Sequence, residues 1–394
     1  MKILFLTRVP LTAQTFIFPF ARKLRDRGDI VEFASGPGEG ANGMEAGGFP
    51  YRMLAMHKKS SSLGNIRVIA ELSGTIRDGH YDVVHTYSPV IGLYGRIAAS
   101  NVRTPFVIHS VIGALFAPGI PLLHRTFYVA SELVTSRMVD LFITLNDADA
   151  AALVKFKLAS PERVVSLRYE FGVDLRKFDP DRVDVDGLQT LREHYCLPKD
   201  VPIIGFAGRL IGAKGILDLF EAYRRIRKKG IKAKLVFLGD VLSSDKDQRS
   251  KRVLQEQINE SGYAGDVVFF GLQEDVTPFL SLMDVVVLPS HYEGFPRIPI
   301  EAGAMRKASV CTAVAGADVA VEDGRTGFIV PIKDPVRLAE AIVKIIENPE
   351  LSSTMGNRSR ERVVELFDQS KIVDQQVRIY DKLFQKSNGA VRPV

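Results

Sequence analysis

Cysteine is nearly absent: 394 residues include only Cys196 and Cys311, far apart and in neither a C-x-x-C nor a His-rich setting. That scarcity argues against a disulfide scaffold and paired metal ligands, and it fits a reducing cytoplasm. Long apolar runs are missing as well, since none approaches the roughly eighteen residues that a bilayer-spanning helix needs. The opening Met-Lys-Ile-Leu-Phe-Leu-Thr-Arg holds four apolar residues before polarity returns, and it reads as a first strand, not a signal peptide. No repeat of solenoid period and no low-complexity tract occurs. Nor is charge of one sign concentrated. The net charge is +6, and residues 1–200 carry 24 Lys and Arg against 21 Asp and Glu. A nucleic-acid binder gathers its cations on one face or segment, so nucleic acid is not an expected partner. Scattered cations form a solvated surface, although Arg22 to Arg25 and Lys58-Lys59 are local clusters that suit anionic lipid.

What is present describes a soluble globular protein, 46% hydrophobic and 25% charged. The length exceeds one ordinary core and predicts two domains of about 180–200 residues each. Short apolar runs alternate with amphipathic stretches, the pattern of β-α-β units. Strands are expected at 3–6, 30–34, 83–86, 106–109 and 141–145, with helices at 18–27, 66–76 and 126–138. A polar, turn-rich stretch from Asp174 to Asp200 reads as the interdomain connection. A second series follows, with strands at 202–206, 235–238, 267–270 and 285–288 and a helix opening at Lys214. Helices at 335–346, 351–366 and 371–386 close it. The expected fold is α/β, two doubly wound Rossmann-like domains facing each other across a cleft. They would span 1–180 and 181–370, with a helix and tail at 371–394 packing back toward the first.

Two stretches carry chemistry. His291-Tyr-Glu-Gly-Phe-Pro-Arg-Ile-Pro-Ile-Glu301 places Glu293 on a Gly/Pro-broken loop and Glu301 in a helix that is expected to begin at Pro299. An apolar strand leads into it, and α/β proteins hold charged or sugar-like ligands at such strand ends. First-turn position gives Glu301 a purely structural reading through the helix dipole, but Ile298 at the cap would offer no oxygen for a capping box. A carboxylate there suits the two hydroxyls of a ribose. Glu293, with the backbone N–H groups of Gly294 and Phe295 beside it and Pro296 next in the loop, suits a sugar hydroxyl. The second stretch, Gly205 to Gly215, follows a strand and sets Gly208, Arg209 and Lys214 where they suit a diphosphate: Arg grips bidentately, Lys acts as a point charge. It is neither a dinucleotide fingerprint nor a Walker loop. The competing reading is a glycine-rich turn with solvated cations. Paired carboxylates also serve hydrolases, although these more often come from different strands.

Gly208-Arg-Leu-x-x-x-Lys214-Gly215 and Glu293-Gly-Phe-x5-Glu301 resemble the retaining, nucleotide-sugar-dependent glycosyltransferases of the GT-B fold, family-4 type (glycosyl transferases group 1). So do Gly172-Val-Asp174-x3-Phe178-x-Pro180 and Val321-Glu-Asp-Gly324-x-Thr-Gly327. Asp82-Val-Val-His85-Thr-x-Ser-Pro and Gly92-Leu-Tyr-Gly95-Arg-x-Ala-Ala are similar to members that build lipid-linked glycans and exopolysaccharides in bacteria. The resemblance implies a nucleoside-diphosphate-sugar donor in the second domain. Arg209 and Lys214 would hold the diphosphate, Glu301 the ribose and Glu293 the transferred sugar, with catalytic duty shared among Arg209, Lys214, Glu293 and His109. It further implies retention of configuration, no metal and no cofactor, and a glycan or polyprenyl-linked acceptor. The location expected is the cytoplasm, with peripheral contact at the inner membrane face left open.

Three departures stand out. Ile112 occupies the place where the family often has His, with His109 three residues earlier. Arg8-Val-Pro-Leu-Thr-Ala-Gln14 replaces a Gly-Gly loop, and Val319 replaces a frequent Glu. Arg8, His85 and His109 are therefore the acceptor-side candidates, and both histidines have the alternative of being satisfied core residues. The apolar stretch Phe116 to Leu123, followed by His124 and Arg125, either covers the core or touches lipid. Choice of sugar falls to the surroundings of His291, Phe295 and Arg297. A nucleotide-sugar epimerase on the same fold and a non-catalytic nucleotide-sugar-binding protein are the other two functional readings.

Overall fold

A computed structural model describes residues 1–38, 40–56, 67–111, 122–145, 147–167, 172–242, 245–293 and 295–388. Lys58-Lys59, Ile112, most of the stretch from Phe116 to Leu123, Gly294 and the tail beyond residue 388 lie outside the described residues. The chain forms two compact units, Met1–Phe171 with Gln369–Val394, and Gly172–Asp368.

The first unit holds a seven-stranded parallel sheet. Its strands are β1 (Lys2–Thr7), β2 (Ile30–Ser35), β3 (Tyr51–Met53), β4 (Val83–Tyr87), β5 (Phe106–Val111), β6 (Leu141–Thr144) and β7 (Val164–Ser166), in the order β3-β2-β1-β4-β5-β6-β7. The second holds six parallel strands, β8 (Ile203–Ala207), β9 (Lys234–Leu238), β10 (Val267–Gly271), β11 (Val285–Leu288), β12 (Ala308–Thr312) and β13 (Gly327–Val330), in the order β10-β9-β8-β11-β12-β13. Both are doubly wound. The strand order reverses between β1 and β4 in one sheet and between β8 and β11 in the other, and such switch points are where open α/β sheets bind ligands. Because helices cover both faces, β4, β8, β11 and β12 are buried along their whole length, and β8 and β11 read as continuous apolar runs.

Strands β3, β7 and β13 escape the sequence reading because they are short and lie at sheet edges. In β12, Ala-Ser-Val-Cys-Thr, small and polar residues mask a fully buried strand. The segment from Asp174 to Asp200 is a correction. It lies wholly inside the second unit and contains the helix Val185–His194, which buries none of its residues fully and carries only Val185, Leu188 and Leu191 as a short apolar stripe among polar turn formers. The unit boundaries accordingly fall at 171/172 and 368/369, not at 180/181 and 370/371.

Helix starts follow local chemistry. Pro335 and Pro349 each occupy a first-turn position, with Asp334 and Asn348 as caps accepting from the N–H of Arg337 and Leu351. Four helices of the first unit and three of the second matter below: α1 (Phe18–Asp26), α2 (Pro89–Asn101), α3 (Leu122–Thr135), α4 (Ile216–Lys228), α5 (Arg297–Ala304), α6 (Pro349–Leu366) and α7 (Gln369–Asn388). Although last in sequence, α7 belongs to the first unit. Its Tyr380 is buried edge-on against Phe20 of α1, in a core where Phe5 stacks on Phe33. Burying each such ring contributes about 1.5–3 kcal/mol, which makes α7 part of this unit's core. No helix among the described residues is long and apolar enough to cross a membrane.

Candidate active site

The second unit's switch point assembles two loops. After β8 the chain passes Gly208 and Arg209 and makes one 3-10 turn, Gly212–Lys214. Gly215 follows at φ +67° and opens α4. A Cβ on Gly215 would sit 1.9 Å from the Pro289 carbonyl oxygen, so only glycine lets this loop press against the one leaving β11. The contact brings Lys214 to Glu293: Nζ donates to Oε1 over 2.6 Å, and the Ser290 hydroxyl donates to the same oxygen over 2.6 Å. Glu293 is buried and Lys214 nearly so, so this charge-assisted pair is screened far less than a surface one.

Arg209 points elsewhere. Half exposed, it is paired with the buried Asp245, whose other oxygen accepts from the Leu242 N–H. Asp247 anchors the turn before Lys214. It accepts from the Ser250 hydroxyl at 2.6 Å and the Gly212 N–H at 2.7 Å, and these bonds hold its carboxyl down at about 2. Ionised across the ordinary pH range, it fixes the loop from beneath.

Glu301 is buried on α5 and accepts from Arg297 Nη2 at 2.9 Å. Here the sequence reading needs correcting, because α5 starts at Arg297 with Pro296 as cap, two residues before Pro299. Pro299 falls third, where a missing N–H costs nothing because the first turn's donors have no intrahelical partners. Glu301 is then the fifth helical residue, beyond the first turn, and the dipole gives no account of it. Phe295 is partly buried and Pro296 buried on the approach to α5, and Gly294 between them and Glu293 lies outside the described residues.

In the first unit, Arg8 follows β1 with Nη1 4.0 Å from Met56 Sδ. His85 and His109 lie inside strands and are walled in, 1% and 2% exposed. His85 has Nδ1 2.7 Å from Tyr380 Oη and Nε2 2.9 Å from Ser110 Oγ, and it stacks on Tyr87. His109 has Nδ1 2.8 Å from Thr86 Oγ1 and Nε2 4.0 Å from Glu132. Burial pushes both imidazoles well below their ordinary value; His109 adds to the effect on His85, and Arg96 to that on His109. Their placement supports the core reading of both rings over contact with acceptor or reacting sugar.

Residues 189–362 match the family described as Glycosyl transferases group 1, and residues 13–170 match the Glycosyl transferase 4-like domain. A D-inositol 3-phosphate glycosyltransferase of Streptomyces avermitilis is 30% identical over 326 residues, covering 80% of this chain and 68% of the relative. The chain belongs to the glycosyl transferases group 1 family. The Escherichia coli UDP-Gal:alpha-D-GlcNAc-diphosphoundecaprenol alpha-1,3-galactosyltransferase is 25% identical over 315 residues, 80% of this chain and 79% of its own. The crystal structure of Anabaena HepE in complex with UDP-glucose shares the fold, with a TM-score of 0.81 at 22% identity over 97% of this chain and 100% of that one. The protein is a glycosyltransferase of two Rossmann-like units of the GT-B kind, as its motifs lead one to expect.

Within this glycosyltransferase the motifs divide by task. Val173 pairs with Asp368, and the Phe178 carbonyl accepts from Arg360 of α6, which also reaches the Ala304 carbonyl at the end of α5. The stretch from Gly172 to Pro180 is thus tied to α5 and α6 inside the second unit. The turn from Val321 to Gly327 closes on itself, with the Glu322 N–H donating to Thr326 Oγ1 at 2.8 Å and the Ile329 N–H to Asp323 at 2.8 Å. Val319, the departure beside this turn, accepts through its carbonyl from Arg362 at 3.0 Å. In the stretch from Gly92 to Ala99, a Cβ on Gly92 would lie 2.6 Å from His109 Cε1. Arg96 grips Glu132 of α3 through both Nη atoms, at 2.5 and 2.7 Å, and both residues are fully buried.

That pair escaped the sequence reading, as did Asp218, Asp245 and Asp247. Arg96 and Glu132 fall within stretches that otherwise read as apolar helix, so an arginine and a glutamate on facing core stripes were the available signal. Asp218 sits in the first turn of α4, where an acid is ordinary, and nothing in the sequence pairs it with His291.

Proposed function

We propose that this glycosyltransferase moves a hexose from a UDP-sugar to a glycan acceptor carried on a polyprenyl diphosphate, at the cytoplasmic membrane face, with retention and without a metal. The Lys214–Glu293 pair at the switch point carries the reading. It sets a cation suited to the diphosphate beside a carboxylate suited to sugar hydroxyls, where an α/β sheet binds ligands. Glu301 accepts from the ribose hydroxyls, and Arg209 exchanges Asp245 for the diphosphate. The C1–O bond to the β-phosphate breaks with its electron pair leaving on the diphosphate, and the acceptor oxygen bonds C1 on the same face. The acceptor's proton passes to the departing phosphate oxygen. Lys214 and Arg209 supply the fixed positive charge that this departure needs, the task that a divalent ion performs at other phosphate sites.

The UDP-hexose and lipid-linked acceptor are supported by the name of the Escherichia coli relative and by the HepE complex with UDP-glucose. Thermal shift against UDP-, GDP- and ADP-sugars is expected to single out a UDP-hexose, because a bound donor raises the midpoint by mass action. With that donor and a polyprenyl-diphosphate glycan, transfer proceeds in excess EDTA, and the product's anomeric proton signal shows the donor's configuration. Inverted product, dependence on added metal, or conversion of the sugar without acceptor each contradicts the corresponding part of the proposal.

A further inference from the structure

The loop that carries Glu293 is tied to the Lys214 loop at more points than the Lys214–Glu293 pair itself. The His291 N–H donates to the Ala213 carbonyl at 2.9 Å, and Gly215 lies against the Pro289 carbonyl. One side-chain link uses neither Lys214 nor Glu293: His291 Nε2 lies 2.6 Å from Asp218 Oδ2. Asp218 stands in the first turn of α4, which is fixed by the fully buried Ile216, Leu219 and Phe220. A carboxylate at that place suits the helix dipole, and the buried turn beneath it makes the anchor rigid.

We propose that His291 and Asp218 form a strap that holds Glu293 in register with Lys214, which makes His291 a positioning residue for transfer. The proposal rests on the donor assignment above. Its physical need follows from the pairing. When a diphosphate arrives, Lys214 turns part of its charge toward the phosphate and its hold on Glu293 weakens. The His291–Asp218 contact loses nothing at that moment, and it keeps the sugar-side carboxylate at a fixed distance from the diphosphate-side cation. A shift of about 1 Å in such a group costs up to about a hundredfold in rate.

The test compares His291→Ala, Asp218→Ala, the double variant and His291→Gln, whose amide nitrogen can replace Nε2. Calorimetry with UDP, which has no sugar for Glu293, is expected to give affinities within about twofold of the unmodified protein in all four, while kcat with the panel-selected UDP-hexose falls about tenfold or more in both alanine variants. The double variant is no worse than either single, because a shared link can be cut only once. His291→Gln restores most of kcat. Hydrogen exchange over residues 289–296 quickens in the alanine variants and returns to the native rate in His291→Gln. Losses that multiply in the double variant, a UDP affinity that falls as far as kcat, a glutamine no better than alanine, or unchanged exchange in the loop each overturns the strap. If the unmodified protein binds neither UDP nor a UDP-hexose, the donor assignment fails instead, and the exchange rates still report whether the strap holds the loop.

Discussion

Both units gather polar side chains around the middle strands of a parallel sheet, and the two clusters have opposite characters. In the first unit His85 and His109 sit within β4 and β5, and Arg96 and Glu132 lie behind them on α2 and α3, all essentially without solvent exposure. Their hydrogen bonds include those between Arg96 and Glu132 and those to Thr86, Ser110, Tyr380 and the Gly92 carbonyl. In the second unit Arg209, Lys214 and Glu293 stand beyond the ends of β8 and β11, and two of these side chains keep contact with water. A polar group inside a strand is spent on closing the core; one past the strand end keeps bonding capacity that a ligand can use.

Cutting the buried pair should produce the largest effect. Arg96→Leu or Glu132→Leu leaves an unpaired buried charge and is expected to cost about 3–5 kcal/mol of stability by denaturant or thermal unfolding, whereas the double apolar replacement recovers much of it. A cost below about 1 kcal/mol would remove the pair from the core. Next comes Lys214→Ala, whose effect lies on rate instead of stability. Loss of one fixed charge at a developing oxyanion lowers transfer by about a hundred- to a thousandfold, while the melting midpoint falls by less than in the Arg96 and Glu132 variants, because Lys214 keeps contact with water and Ser290 still donates to Glu293. An equal loss in both quantities would erase the contrast between the units.

Smaller still is a pH effect confined to the histidine side of the comparison. Both imidazoles are pushed below their ordinary value of 6.5 on folding, so the unfolded chain binds protons more readily. Their contribution to stability is complete above that value and is lost as the pH falls through it toward the folded values. Melting midpoints between pH 8 and 5 should therefore drop on the acid side, and the slope should flatten in His109→Gln. The smallest effect is expected at an exposed pair such as Arg337–Glu340, where Arg337→Ala changes stability by less than about 1 kcal/mol.

The same contrast explains what could be read from the sequence. The alternation of apolar runs with amphipathic stretches carried the fold, because parallel strands covered on both faces are mostly apolar, as in β8 and β11. Lys214, Glu293 and Glu301 could be singled out as candidate site residues because each follows a strand and a glycine or proline break, and their motifs resemble those of a known family. His85 and His109 each lie in an apolar run, which already favoured the core, although family analogy pulled His109 toward the site. Tertiary pairings stayed hidden. Asp218 meets His291 across 73 positions, and Arg96 meets Glu132 across 36. No local pattern announces such partners. The position of α5 was misread because proline marks the first turn of a helix without specifying which residue of that turn it occupies.

Calorimetric titration of UDP into the unmodified protein and into Glu301→Ala tests the central claim, that the donor nucleotide is held at the strand ends of the second unit. Hydrogen bonds from the ribose to a charged acceptor are worth about 1.5–3 kcal/mol, so the variant is expected to bind UDP about ten- to a hundredfold more weakly while its melting midpoint without ligand is little changed. Equal affinity in the two proteins would contradict the account.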